Sequence, residues 1–181
     1  MEFFTIINLI FVILVLILMI FVAFYNKFQS YMIRINEVEA EIDSTLRKRF
    51  DLLNRSINII NANVKLEKEV LEIIVKLRSR KLSNFELDRI LYDAINEFNS
   101  YKDIYPELNQ VESFIKIHTS LNESEVEIHA LRKYYNDVIT KYNELIRKIP
   151  SNLVAKVFKY KFKNYFDNKD MTDEVVTDFK L

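Results

Sequence analysis

Two histidines, a few closely spaced carboxylates and one dense basic cluster are the residues of this chain that could do chemistry. His118 and His129 stand eleven residues apart. A helical metal pair needs i, i+4 spacing so that both rings reach one ion, with a carboxylate close by. The two therefore read as solvated surface histidines. Glu67 with Glu69, and Glu123 with Glu125, set acids near each other, but nothing around them would strip water away, and a solvated carboxylate keeps its ordinary acidity. They read as wet helix faces. Cysteine is absent, which excludes a thiol nucleophile and a thiolate metal site. Glycine is absent too, so neither a strained nucleophile elbow nor a phosphate-cradling loop can be built. No catalytic residue, metal or cofactor is expected, and the chain reads as a non-enzyme.

The sharpest charged group is Arg47-Lys48-Arg49 with Asp51 and Arg55. Asp51 lies four residues from both Arg47 and Arg55, a spacing at which each ion pair adds about 0.2–0.5 kcal/mol to a helix. The same side chains could meet a partner, so Arg47, Lys48, Arg49 and Asp51 form one candidate contact surface. Tyr105, Pro106 and Glu107, at an expected turn, form the second. With 26 basic and 26 acidic residues the chain has no net field to draw phosphates, and nucleic acid is not an expected partner. The run from Lys156 to Phe166 interleaves four lysines with aromatics. It could lie on anionic headgroups, but the favoured reading is that the aromatics cap a bundle end while the lysines stay wet.

The elements that position these residues must be helices. With no glycine, and proline only at Pro106 and Pro150, the chain lacks the residues that make tight turns between strands. Leu9 to Tyr25 runs without a charged or amide side chain, and extending back to Phe3 adds only Thr5 and Asn8. A helix of ~20 residues crosses the hydrocarbon core, so residues 3–25 are expected to span a bilayer. The rivals, a cleaved signal peptide or a buried core helix, lack support: no small-residue cleavage site follows Tyr25. Lys27 and Arg34 lie just after the span, and the positive-inside rule then puts the following domain in the cytoplasm and the short N-terminus outside.

The first helix is expected to continue out of the bilayer as a stalk, with Val38, Ile42, Leu46 and Phe50 at fourfold spacing. A heptad seam of Phe50, Leu53, Ile57, Ile60, Val64, Leu71 and Ile74 follows. Around residues 78–84 the pattern fails, and a capping box of Ser83 and Glu86 opens a second helix with Leu87, Ile90, Leu91, Ala94, Ile95 and Phe98 on one face. It should stop before Pro106. A long helix then spans Phe114 to Asn152, with Phe114, Leu121, Ile128, Tyr135, Tyr142 and Ile149 in one heptad register and Ile117, Ser124, Leu131, Val138 and Leu145 in the other. Ser151 or Asn152 is expected to cap a final short helix. The division is an anchor at 1–26, one helical bundle domain at 27–166 and a disordered polar tail at 167–181.

Several blocks of these residues resemble the LemA family of bacterial membrane proteins. They are Ile42-Asp43 with Leu46 to Leu52, Tyr105-Pro106-Glu107-Leu108, Arg132-Lys133-Tyr134-Tyr135-Asn136-Asp137, Tyr142-Asn143, and Ile149-Pro150-Ser151-Asn152-Leu153-Val154-Ala155. The resemblance implies a single-pass protein of the bacterial inner membrane whose soluble part is an all-α, up-and-down four-helix bundle. It carries over no catalytic residue. Where the family has a proline-asparagine pair this chain has Asn54-Arg55, which implies a straighter first helix. The function expected is that of a membrane-anchored scaffold or adaptor, with the bilayer and unidentified proteins as partners and self-association through spare seam surface. The rival is a regulatory accessory to membrane proteolysis or envelope stress signalling. Deletion of the gene followed by profiling of membrane-protein turnover separates the two.

Overall fold

The computed structural model describes residues 2–63 and 83–166, which form an all-α bundle with no strand among the described residues. Helix α1 is Glu2–Asn63, α2 is Asn84–Ile104, a short 3₁₀ segment covers Pro106–Gln110, α3 is Glu112–Arg147 and α4 is Ser151–Val157. The expected Glu67–Glu69 pair, the seam positions Val64, Leu71 and Ile74, and the expected disordered tail lie outside the described residues. Helix α1 runs unbroken through Asn54 and Arg55, as the missing proline implied. The described residues fall into two compact units, one of 2–37 with 135–165 and one of 38–63 with 83–134 and Phe166.

In the first unit, the stretch from Phe3 to Val22 shows its large apolar side chains to the outside. Burial begins at Phe28. It joins Ile35, Val138, Ile139, Tyr142, Leu145, Val154 and Ala155 in one core. The stretch of α1 expected as a stalk is a packed bundle helix from Phe28 onward, because its apolar face has α3 and α4 to cover it. Phe28 is gripped by aromatic rings: Tyr142 meets it edge-on at 5.9 Å between centroids and Tyr160 stacks on it at 4.5 Å. Past α4 the chain is held against α3 by Asn143. Its amide donates to the Lys163 carbonyl at 2.9 Å and its Oδ1 accepts the Lys163 N–H at 3.0 Å.

The α3–α4 junction corrects two expectations. Helix α3 ends at Arg147, leaving Ile149 83% exposed instead of on the seam. Ser151 does not cap α4, whose N-terminus has no side-chain cap. Its buried hydroxyl turns back to the Leu145 carbonyl at 2.7 Å, with Lys148 O at 2.9 Å as a second acceptor. The last carbonyls of a helix have no backbone N–H donor following them, and a buried carbonyl without a donor costs more than an exposed amide, so the hydroxyl serves α3.

In the second unit, α1 and α2 both run antiparallel to α3. Thr45 meets Glu127 at 3.2 Å while Arg49, a turn later, meets Glu125; Asp88 meets Arg132 while Phe98 packs on Phe114 with centroids 5.0 Å apart. The expected capping box is present: Ser83 N–H donates to Glu86 Oε2 at 2.9 Å and Glu86 N–H to Ser83 Oγ at 3.3 Å. Helix α2 ends ahead of Pro106, and Leu91, Ala94, Ile95 and Phe98 are buried as their spacing requires. On α3, Phe114, Ile117, Leu121, Ser124 and Ile128 fill the interior in the expected heptad. On α1, Leu53 and Ile60 are buried but Phe50 and Ile57 are only half-buried. Arg49 and Ser56 take the interior places one residue earlier.

Candidate functional site

The first candidate surface is a shallow groove on α1 lined by Ser44, Arg47, Lys48, Asp51, Leu52 and Arg55. Their i, i+3, i+4 spacing keeps them on one outward face. Arg47 does not reach forward to Asp51. Its Nε donates to Asp43 Oδ2 at 2.8 Å, since an acid on the N-terminal side of its basic partner is the better helical arrangement. Lys48 Nζ lies 3.5 Å from Glu127 Oε2, and both side chains remain about half exposed. Neither Asp51 nor Arg55 has an ion pair among the described residues, which leaves a charged, solvent-open groove.

Arg49 is not on that surface. Its side chain is fully buried, Nη1 donates to Asp88 Oδ1 at 3.3 Å, and Nη2 donates to Glu125 Oε2. Arg132 Nη2 donates to the same Asp88 carboxylate, 2.6 Å from Oδ1 and 2.5 Å from Oδ2, and its guanidinium lies 5.8 Å from the Phe166 ring centre. Two cations and two anions thus balance across α1, α2 and α3. Burial pushes the Asp88 carboxyl above its ordinary value, while Arg132 and then Arg49 pull it back. Among the described residues the Nε atoms of Arg49 and Arg132 find no acceptor. A buried, charge-balanced network of this kind contributes little net stability over an apolar core, because desolvation offsets attraction, but it tolerates only one alignment of its members. It joins three helices through one set of ion pairs. Glu125 is therefore not the wet acid its sequence position implied.

Asp88 was not singled out by sequence reasoning, and Arg132 entered only as part of a family-like block, although a signal for a buried ion pair existed. Asp88 stands three residues before Leu91 and seven before Ile95, on the apolar face of α2, and Arg49 continues the seven-residue series Ile35, Ile42. A base and an acid each breaking an apolar stripe, on different helices, is the pattern of a buried ion pair.

The second candidate surface lies elsewhere. Tyr105 closes α2, its N–H donating to Tyr101 O at 2.8 Å, and Leu108 is driven into the core, leaving Pro106 and Glu107 exposed. Seventeen residues of α2 separate Asp88 from Tyr105, roughly 25 Å of helical rise. The groove on α1 and this turn are two separate surfaces.

The histidines also part company. His129 is exposed, but His118 is half-buried, its ring 6.3 Å from Phe98 and 6.4 Å from Phe114, with Asn122 Nδ2 3.3 Å from its Nδ1. Among the described residues no group of three or more ligand-type side chains could hold a metal. Burial first, and Lys102 second, lower the His118 pKa below its ordinary 6.5. The fold thus prefers the neutral ring: its contribution is complete above pH 6.5 and is lost as pH falls through the lowered value. Thermal unfolding of the wild-type chain and of His118→Phe, compared from pH 7.5 down to 5.5, should show the wild type losing more stability than the variant, about the differential that one suppressed protonation allows.

Comparison with known proteins bears on these residues. A family model described as the LemA family matches residues 38–179, which takes in the α1 groove, the buried network, the Tyr105 turn and α4. No curated protein matches the chain.

Proposed function

The chain belongs to the LemA family, and from that premise we propose that it is a non-enzymatic, single-pass membrane protein whose bundle serves as a scaffold or adaptor for other proteins. One observation carries the anchoring: in α1 the most apolar window, long enough to cross a bilayer, has none of its residues buried. Side chains such as Phe11, Leu14 and Met19 are more than half exposed among the described residues. Leaving this many apolar side chains in water is prohibitive at roughly 25 cal/mol per Å², and lipid is the cover that a single unpaired helix of this length finds. The basic residues Lys27 and Arg34 that follow the stretch favour the bundle on the cytoplasmic side.

The adaptor role rests on where charge is left open. Two cations and two anions are consumed inside the bundle, whereas Arg47, Lys48, Asp51 and Arg55 form an exposed groove, and charged grooves of this kind set partner choice and association rate. In membranes that retain the chain through an alkaline wash, a photo-reactive side chain at Ser44 should capture partner proteins. Arg47→Glu combined with Lys48→Glu should remove them while the helical content stays unchanged. Release of the chain by the wash overturns the anchor, and unchanged capture by the double variant overturns the groove.

A further inference from the structure

We infer that α4 and the basic segment after it form a second membrane contact, a shallow wedge that rests on the anionic headgroups of the same bilayer that α1 is proposed to span. This rests on the anchoring reading and adds a site to it. Helix α4 is apolar on two opposite sides. Val154 and Ala155 face the core with Phe28 and Tyr142, whereas Leu153 and Val157, one turn apart on the far side, are 57% and 63% exposed. A short helix with an apolar outer face as well as an apolar inner one calls for a cover on both.

The cover is identified by position and charge. Phe158, next after α4, packs on Phe21 at 5.8 Å and on Tyr25 at 4.7 Å between ring centres. These are residues of the last turns of the apolar stretch of α1. Phe21 lies four residues, ~6 Å, inside the end of that stretch at Tyr25. An interfacial helix sits about 5–10 Å deep at the headgroup and acyl boundary, so the α4 end reaches that depth when residues 3–25 cross. Ile149 before α4 and Phe162 after it are exposed apolar side chains as well. Between Leu145 and Phe166 the chain carries six basic residues, Arg147, Lys148, Lys156, Lys159, Lys161 and Lys163, and no acid. Lys148 is engaged by Glu144 and Arg147 lies over Phe162, while Lys156, Lys159 and Lys161 are exposed. Apolar side chains ringed by lysines without acids suit a negatively charged lipid surface and would repel another copy of the same basic face. Asn143, holding Lys163 by both backbone groups, keeps the segment folded before it meets lipid.

The chain has no tryptophan, so a single one reports its own surroundings. Leu153→Trp and, in a second protein, Val157→Trp should be made in the full chain and reconstituted into phosphatidylcholine vesicles with and without phosphatidylglycerol, the lipids carrying bromine near the headgroup end of the acyl chain. Leu16→Trp, read with lipids brominated near the methyl end of the acyl chain, is the control for the span and Val126→Trp the control for the solvent. The expected result is blue-shifted, bromine-quenched emission from both α4 probes, stronger with phosphatidylglycerol, and reduced to the phosphatidylcholine level by Lys156→Glu, Lys159→Glu and Lys161→Glu together. Blue-shifted but unquenched emission would mean that protein, a second copy included, covers α4. Red, unquenched emission would mean that water does. Either overturns the inference while a quenched Leu16→Trp leaves the anchor standing. An unquenched Leu16→Trp overturns both.

Discussion

Replacing Asp88 with alanine should destabilise the folded chain by about 3–5 kcal/mol, the range for breaking a buried ion pair by removing one partner. The magnitude follows from what the deletion strands. Arg49 is fully buried and would keep only Glu125, which is itself about one-third exposed; Arg132 would lose both of its contacts to the carboxylate. Among the described residues the Nε of each arginine already lacks an acceptor, so neither guanidinium has reserve partners there. Against a typical total of about 5–15 kcal/mol, the loss leaves a marginal fold. Urea unfolding of the full chain in detergent micelles, followed by far-ultraviolet circular dichroism, measures it. Asp88→Asn, which retains one acceptor oxygen, should lose less. Losses from Asp88→Ala below about 1 kcal/mol would show that water reaches the network, as at an exposed pair.

Phe28→Ala should cost a comparable ~3–5 kcal/mol by a different route, since it removes a large buried side chain and leaves a cavity that the surrounding rings cannot fill. Phe28 is fully buried with Tyr142 on its edge and Tyr160 on its face. The stacked contact with Tyr160 is also one of the ties holding the segment after α4, together with the Gln29 amide that donates to the Tyr160 hydroxyl at 2.7 Å. The alanine variant should therefore combine a lower unfolding midpoint with faster proteolysis between Lys159 and Lys163, whereas Phe28→Leu, which fills most of the volume, should show a smaller shift in both. A normal midpoint with fast cleavage would assign Phe28 to tethering alone.

Much of this protein is determined by residue order alone, because its elements are helices and helical packing leaves a periodic record. The apolar stretch of α1, the capping box at Ser83, the stop ahead of Pro106 and the heptad of α3 from Phe114 to Ile128 are each local or near-local relations, and all are found where their spacing puts them. The family follows from the same blocks of residues. What only the tertiary structure decided concerns polar groups. The place of Arg49 in the series Ile35, Ile42 marks it for the interior, but whether it can go there turns on whether acids from two other helices arrive at its level, and no neighbour along α1 specifies that. The burial of Arg49 in place of Phe50 and the recruitment of Glu125 have this one cause. An apolar residue is drawn inside by water, which is everywhere, whereas a polar residue can go inside only where a particular partner stands, and that partner is positioned by the fold.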